Sequence, residues 1–482
     1  MIVDQFVGRK AELALLDELQ HSPKAEFLVI YGRRRIGKTR LLTHWLNSGQ
    51  HRAFIWVASQ SSSHNLLRHF SQQFYQFSHP GQAPAEGMSY STWEHAWQEV
   101  AAYAQKNRLT LIIDEFTYLA EAAPEVPSIL QTCWDLSLKP AGAFLILSGS
   151  QVNMMMKAVH SYQAPLYGRA TRRIHLQPFT YPALAQFFPA YQADELVATY
   201  AILGGVPAYL ELFQAQMNFS ENLRRVVLQP FSPMQSDSLL LLHEQFDQPA
   251  LYAAILQAIS MNKRSLTEIA TYIDQPSTHV SRYLKILSDL GLIERQVPVT
   301  EMHKPNSRKG RYAIRDEYLR FYFRFIEPDL ALLEFGQADL LLERIRPHLR
   351  AYVGEHAFEK LCRYWVLGQS ARQKIPLQLR YLGSYWGSDA QLDVMATDSE
   401  HKRVLIGECK WGMEKVGPEV IEKLTRQAPK AINHLAEPAK WQPYLYLFTR
   451  TPLTEEAAVL AKTHKVEVVT LEQLDADLRT EE

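Results

Sequence analysis

Residues 27–39 read "FLVIYGRRRIGKT". An apolar, strand-like run ends in Gly32-x-x-x-x-Gly37-Lys38-Thr39, and "RLLTHWL" follows at helical spacing. A strand that breaks into a glycine-bearing loop and restarts as a helix has a physical use. Glycine lets the backbone approach a ligand, and the loop and helix N–H groups converge on an anion. The spacing predicts a triphosphate cradle. Lys38 would reach the β- and γ-phosphates, and Thr39 would hold Mg²⁺.

This is the Walker A pattern, and it calls for an acidic partner on a neighbouring strand. "LTLIIDE" (109–115) supplies one. Asp114 would share the Mg²⁺ with Thr39, and Glu115 would polarise the attacking water. Further strand-like runs occur at 53–58, 143–150 and 172–177, separated by helical patterns. Such alternation implies a parallel sheet covered on both faces. Ser148 and Ser150 end the fourth run. Ser150 is a candidate γ-phosphate sensor, with the capping of the next helix as the other reading.

"FVGRKAEL" (6–13), the Walker pair, "LILSGS", "APLYGRATRRIHLQPF" (164–179) and "LGGVPAYL" (203–210) occur in that order. Together they resemble the prokaryotic ATPases of the AAA+/STAND group over about residues 1–325. By that resemblance Val7, Gly8 and Arg9 line the adenine side. The Gly204-Gly205-x-Pro207 turn of a helical lid closes over ATP. Arg169 contacts phosphates, in cis or from a neighbouring subunit. The plainer readings are a loop arginine for Arg169 and a helix-terminating proline for Pro207.

Residues 251–314 read as helix, helix and wing. Ser265 and Glu268 have capping-box spacing. Val280, Tyr283, Leu284, Leu287 and Leu290 form one stripe, opposite Thr278, Ser281, Arg282 and Lys285. Two strands then flank a loop bearing Lys304, Arg308, Lys309 and Arg311. A winged helix of this kind places a helix in the DNA major groove and basic wing residues on phosphate. Residues 251–330 hold twelve basic against nine acidic side chains, a mild excess that suits a lid module equally. The aromatic run 316–328 reads as core.

In the last third, "YVGEHAFEKLCRYWV" (352–366) is helical, with Glu359 beside its apolar face. "QLDVMA", a turn and "RVLIGECKW" follow as a hairpin. Glu408 and Lys410 share a face, Cys409 points the other way, and Asp393 falls on the partner strand. Two carboxylates in an oxygen-rich setting suit Mg²⁺ or Mn²⁺, which activates water at a phosphodiester. Glu359 would complete the shell and Lys410 would stabilise the phosphate. The D…ExK pattern after an acidic helix resembles the PD-(D/E)XK nuclease superfamily over about residues 350–470. Leu392 stands at the superfamily's proline position, and a strand-end ion pair in a silent relative is the competing reading.

The chain has 482 residues with 51 basic and 51 acidic side chains. Its overall charge therefore gives no nucleic-acid signal. Three widely spaced cysteines fit a reducing cytoplasm, and neither a signal peptide nor a membrane-spanning run is expected. The expectation is a multidomain α/β protein: a P-loop ATPase core (1–178), helical lid (179–248), winged helix (249–328), linker helices (329–350) and nuclease-like domain (351–482). ATP state would gate DNA binding and Mg²⁺-dependent cleavage. The alternative is a regulatory ATPase acting on a protein partner or promoter, and self-association fits either.

Overall fold

A computed structural model describes residues 6–480 apart from 50, 161, 163, 247, 305 and 306. The chain forms two compact units, 1–178 and 179–482.

The first unit is built on five parallel strands: β1 (Glu26–Tyr31), β2 (Ala53–Val57), β3 (Thr110–Asp114), β4 (Phe144–Gly149) and β5 (Arg172–His175). Their order is β2-β3-β4-β1-β5. The central strands are buried along almost their whole length because both faces are covered. In β1, Phe27 and Val29 join one core with Trp56, Phe70 and Trp97, whereas Leu28 and Ile30 join the other with Leu41 and Trp45. Strands β3 and β4 divide their side chains between the same two cores. The polar strand ends are thereby left at one edge of the sheet, where the loop after β1 also lies.

The second unit begins with helices. Pro249–Ser260, Leu266–Tyr272 and Ser277–Asp289 lead into the antiparallel ribbon β6 (Ile293–Gln296) and β7 (Arg311–Ile314). Val280, Leu284 and Leu287 are buried as their spacing requires, and Thr278, Ser281, Arg282 and Lys285 are exposed. The aromatic run is core: Tyr318, Phe321, Tyr322 and Phe323 are buried.

A mixed sheet follows: β8 (Tyr381–Trp386), β9 (Gln391–Asp398), β10 (Arg403–Lys410), β11 (Gln442–Thr449) and β12 (Val466–Thr470), in the order β12-β11-β10-β9-β8. β8, β9 and β10 are antiparallel neighbours, and β10, β11 and β12 are parallel. The helix Pro418–Ile432 covers one face through Val420, Ile421 and Leu424. Glu359–Ala371, with the turn Gly354–Phe358 before it, covers the other through Phe358, Cys362 and Trp365.

Residues 179–482, expected as lid, winged helix, linker helices and C-terminal domain, form one compact unit. One apolar core runs from Tyr181 to Leu478. The helix Ala338–Val353, expected as a linker, buries Leu341, Leu342 and Ile345 in that core.

Candidate functional site

The loop after β1 sits where Gly32 passes under β5. A Cβ at Gly32 would lie 2.6 Å from the Leu176 carbonyl oxygen. Gly37 precedes the helix Lys38–Gly49, and its carbonyl accepts the Leu41 N–H at 2.9 Å. Lys38 is buried inside the loop and donates to the Gly32 and Arg33 carbonyls at 3.0 and 3.2 Å. Burial lowers its pKa, opposed by the charges of Glu115 and Asp114. The ammonium thus rests on neutral oxygens that a phosphate can replace.

Thr39 Oγ1 donates to Asp114 Oδ2 at 2.5 Å, joining the head of this helix to the end of β3. A hydroxyl and a carboxylate brought together are hard oxygen donors of the kind Mg²⁺ takes. Asp114 Oδ1 accepts the Glu115 N–H at 3.0 Å. Glu115 adopts a left-handed φ of 52°. Its Oε2 accepts from Ser150 N at 3.1 Å and Oγ at 2.7 Å. Of the two serines ending β4, Ser150 is therefore wired to the acid. Ser148 Oγ is buried with no hydrogen-bond partner among the described residues.

Val7 is buried, and Gly8 and Arg9 turn the chain with φ of 64° and 62°. Arg9 donates to the Ile36 carbonyl at 3.3 Å and the Gln177 carbonyl at 2.8 Å, and pairs with Glu12 at 3.1 Å. It ties the first turn to the phosphate loop and to the end of β5. Arg169 forks its Nε and Nη2 onto Asp135 at 2.7–3.1 Å, and its Nη1 donates to the carbonyls of Pro165 and Tyr167, which holds its loop to the turn Trp134–Leu138.

In the second unit, β9 and β10 pair in the register that sets Gly407 against Val394, so Glu408 follows opposite Asp393. Asp393 Oδ2 accepts the Cys409 N–H at 2.8 Å. Glu408 is buried, and its Oε1 accepts from Lys410 at 2.8 Å and Lys423 at 2.6 Å. Its Oε2 is buried with no partner among the described residues. A carboxylate with an orphaned oxygen opposite a second carboxylate suits a cation.

Glu359, Asp393 and Lys410 line one cavity, whereas Glu408 faces the helix that carries Lys423. Among the described residues no group of three or more His, Cys, Asp or Glu side chains converges on one point. The three acids still sense one another in sequence. Burial, then the charge of Glu408, raises Asp393 to about 6. Burial, then the charge of Asp393, raises Glu359 to about 8 against the pull of Arg363. Cys409 and Cys362 are raised by burial, which removes either as a nucleophile.

Residues 6–213 match the family described as an ATPase domain predominantly from Archaea, and residues 322–421 match archaeal and bacterial proteins of unknown function. An uncharacterized protein of Methanocaldococcus jannaschii is 34% identical over 408 residues, covering 84% of this chain and 87% of its own. The chain belongs to this ATPase-domain family. An uncharacterized ATP-binding protein of the same organism is 44% identical over 43 residues, 9% of this chain and 73% of its own. Among solved structures, a Walker-type ATPase of Pyrococcus abyssi aligns with a TM-score of 0.51 at 18% identity, covering 66% of this chain and 96% of its own. That likeness shows the fold. No helix among the described residues is long and apolar enough to cross a membrane.

Other parts of this ATPase bear on the expected sites. Pro207 opens the short helix Pro207–Leu210. Gly205 is obligatory beside it, because a Cβ there would meet the Phe179 carbonyl at 1.8 Å. The turn is therefore packed within the second unit. In the ribbon loop, Lys309 pairs with Glu301 at 3.0 Å, and Arg311 lies over the Trp386 ring at 4.8 Å. Trp386 Nε1 also donates to the Lys309 carbonyl at 3.2 Å. Of the four basic residues expected on phosphate, two are thus engaged within the unit, and the loop is docked on β8.

Sequence reasoning missed Lys423, Arg363 and Asp135. Only Arg363 carried a local signal, one helical turn after Glu359, where its Nη1 lies 3.6 Å from that carboxylate. It also donates to the Asp393 carbonyl at 2.9 Å.

Proposed function

We propose that this protein is an ATP-hydrolysing switch. The observation that carries the reading is the Thr39–Asp114 contact beside Lys38, with Glu115 held by Ser150. Gly32, Gly37 and the loop N–H groups would bind the triphosphate, with Val7, Gly8 and Arg9 toward the adenine. Lys38 would leave its carbonyls for the β- and γ-phosphates. Thr39 and Asp114 would hold Mg²⁺, which neutralises phosphate charge when bound. Glu115 would orient the attacking water, and Ser150 would report whether the γ-phosphate is present by keeping or releasing that carboxylate. The Gly204-Gly205-x-Pro207 turn would transmit nucleotide state within the second unit. The test pairs Lys38→Ala with Glu115→Gln. Loss of nucleotide binding in the first, and binding without turnover in the second, is expected. Undiminished phosphate release in both variants would end the reading.

For the output we favour a metal-dependent phosphodiester site acting on DNA. The supporting observation is the orphaned Glu408 Oε2 opposite Asp393. Asp393 and Glu408 would hold Mg²⁺ or Mn²⁺, which supplies an activated water when bound. Lys410 and Lys423 would balance charge on the scissile phosphate, and the exposed face of the helix Ser277–Asp289, as the reading helix of a winged module, would contact duplex. Incubation of varied DNA with either metal, and with ATP, ADP or neither, tests this. DNA left intact in every case sinks cleavage and leaves the second reading. In that reading the ATPase regulates a partner or promoter and its C-terminal sheet only binds, as the two lysines already seated on Glu408 suggest.

A further inference from the structure

Beside the ribbon β6–β7, the helix Glu359–Ala371 and the β8 edge of the C-terminal sheet lies a cavity of about 1000 Å³. All of its walls belong to the second unit. Nine Arg and Lys side chains line it against four Asp and Glu, in a chain whose total charge is zero. Several of these cations are matched internally: Lys360 by Glu317 at 2.6 Å, Arg264 by Glu355, and Lys410 by Glu408. Two have no such partner: Arg315 and Arg350 are exposed and have no side-chain hydrogen bond or ion pair among the described residues. Arg320 lies in the field of Glu317 and donates from Nε and Nη2 to the Ile314 carbonyl, but its Nη1 is buried without a hydrogen-bond partner among the described residues. A buried cationic donor left unmatched is costly unless a ligand completes it.

The same walls carry aromatic faces. Tyr364 is 40% exposed, and Trp386 lies under Arg311. Guanidinium groups awaiting an anion, close to the part-exposed Tyr364 ring, match phosphates beside a base. The volume stands at the top of the range for small-ligand sites, roughly 300–1,000 Å³, and so admits a few nucleotides. A duplex keeps its bases paired inward and cannot offer them to these rings. Asp393 and Lys410 line the same cavity.

We infer that this cavity binds a short stretch of single-stranded nucleic acid. Its phosphates lie against Arg315, Arg320 and Arg350, and a base stacks on Tyr364. The inference deepens the phosphodiester reading by naming the form of the substrate, and rests on it only for cleavage. Binding is tested by itself, by fluorescence anisotropy of a labelled short oligothymidine on the full chain carrying Asp393→Asn. The strand is expected to bind more tightly than the same length of duplex. Adding Arg315→Glu with Arg350→Glu should weaken it by about tenfold or more and flatten its salt dependence by about two phosphate contacts, with ATP turnover unchanged. Unchanged strand affinity in the charge-reversed protein overturns the inference. So does duplex affinity that falls as much as strand affinity with Arg315→Glu and Arg350→Glu, or a mononucleotide that competes as well as the strand. Strand binding that depends on Arg315 and Arg350 in a protein that never cleaves supports the cavity while ending the cleavage reading.

Discussion

Each of the two units brings an acid and a lysine together beside the end of a buried strand, and treats them oppositely. In the first, Lys38 rests on two carbonyls, and Asp114 accepts from a hydroxyl and a backbone N–H. In the second, Glu408 already holds two ammonium groups, Asp393 is raised by burial and by Glu408, and Glu359 by burial and by Asp393. Neutral partners leave a site ready to exchange them for a ligand. Charged partners must be displaced first. The first site is pre-organised for an anion, and the second requires rearrangement before it can act.

The largest effects should fall on the first site. Lys38→Ala removes a cation aimed at developing charge, and phosphate release should drop by about 10²–10³-fold. Glu115→Gln should cost about 10²–10⁴-fold with nucleotide binding retained, measured by filter binding beside turnover. Lys410→Ala should leave ATP turnover within about twofold, because it serves the other centre. A matched loss from Lys410→Ala would break the contrast between the two units.

Next comes the ion pair that stiffens the second unit. Glu317 is buried against Lys360 Nζ at 2.6 Å, one residue from Glu359, and its carboxylate abuts Gly204. Despite burial, the charges of Lys360 and Arg320 hold Glu317 below its usual pKa. Removing one partner strands the other, so Lys360→Met should cost roughly 3–5 kcal/mol by urea unfolding. Glu317→Gln with Lys360→Met should recover much of that loss. Hydrogen exchange should place the weakening in residues 179–482. Equal loosening of residues 1–178 would contradict it.

How far the sequence was readable follows the same division. Residues 27–39 contain strand, loop and helix in one run, so the phosphate loop was legible from local spacing alone. Asp114 and Glu115 were legible because a strand end is also local. The pairing of Asp393 with Glu408 was legible because a hairpin turn fixes its register. How Glu359 meets the sheet was not legible, because periodicity gives the face of a helix but not the face of the sheet it covers. Lys423 and the Glu317–Lys360 pair join residues 15 and 43 positions apart, and no local pattern marks them. The docking of the ribbon loop onto Trp386 is equally non-local.

The contrast also has a pH side. His356 is half-buried beside Tyr352, and desolvation, then the charges of Arg320, Arg264 and Arg324, hold its pKa well below the usual value. Glu355, 4.0 Å from its ring nitrogen, is the facing acid. Below the unfolded imidazole pKa of about 6.5, the unfolded chain binds a proton that the folded chain refuses. Stability of the second unit should therefore rise with pH up to about 6.5 and fall on acidification, by up to about 1.4 kcal/mol per pH unit. Denaturation midpoints at acidic and neutral pH should converge in His356→Asn. A slope that survives the substitution assigns it to other groups.

The smallest effect isolates a purely local device. Ser265 Oγ accepts the Glu268 N–H at 3.2 Å, and Glu268 Oε2 accepts the Ser265 N–H at 2.8 Å. These reciprocal bonds hold Glu268 below its usual pKa, as a capping box should. Ser265→Ala should cost about 1 kcal/mol by urea unfolding. It should leave both centres untouched, because the box satisfies backbone donors at the head of Leu266–Tyr272 and reaches neither. If ATP turnover or strand binding shifts by more than about twofold, the helices that precede the ribbon are coupled to those centres, and the contrast between a ready site and a restrained one needs a shared element between them.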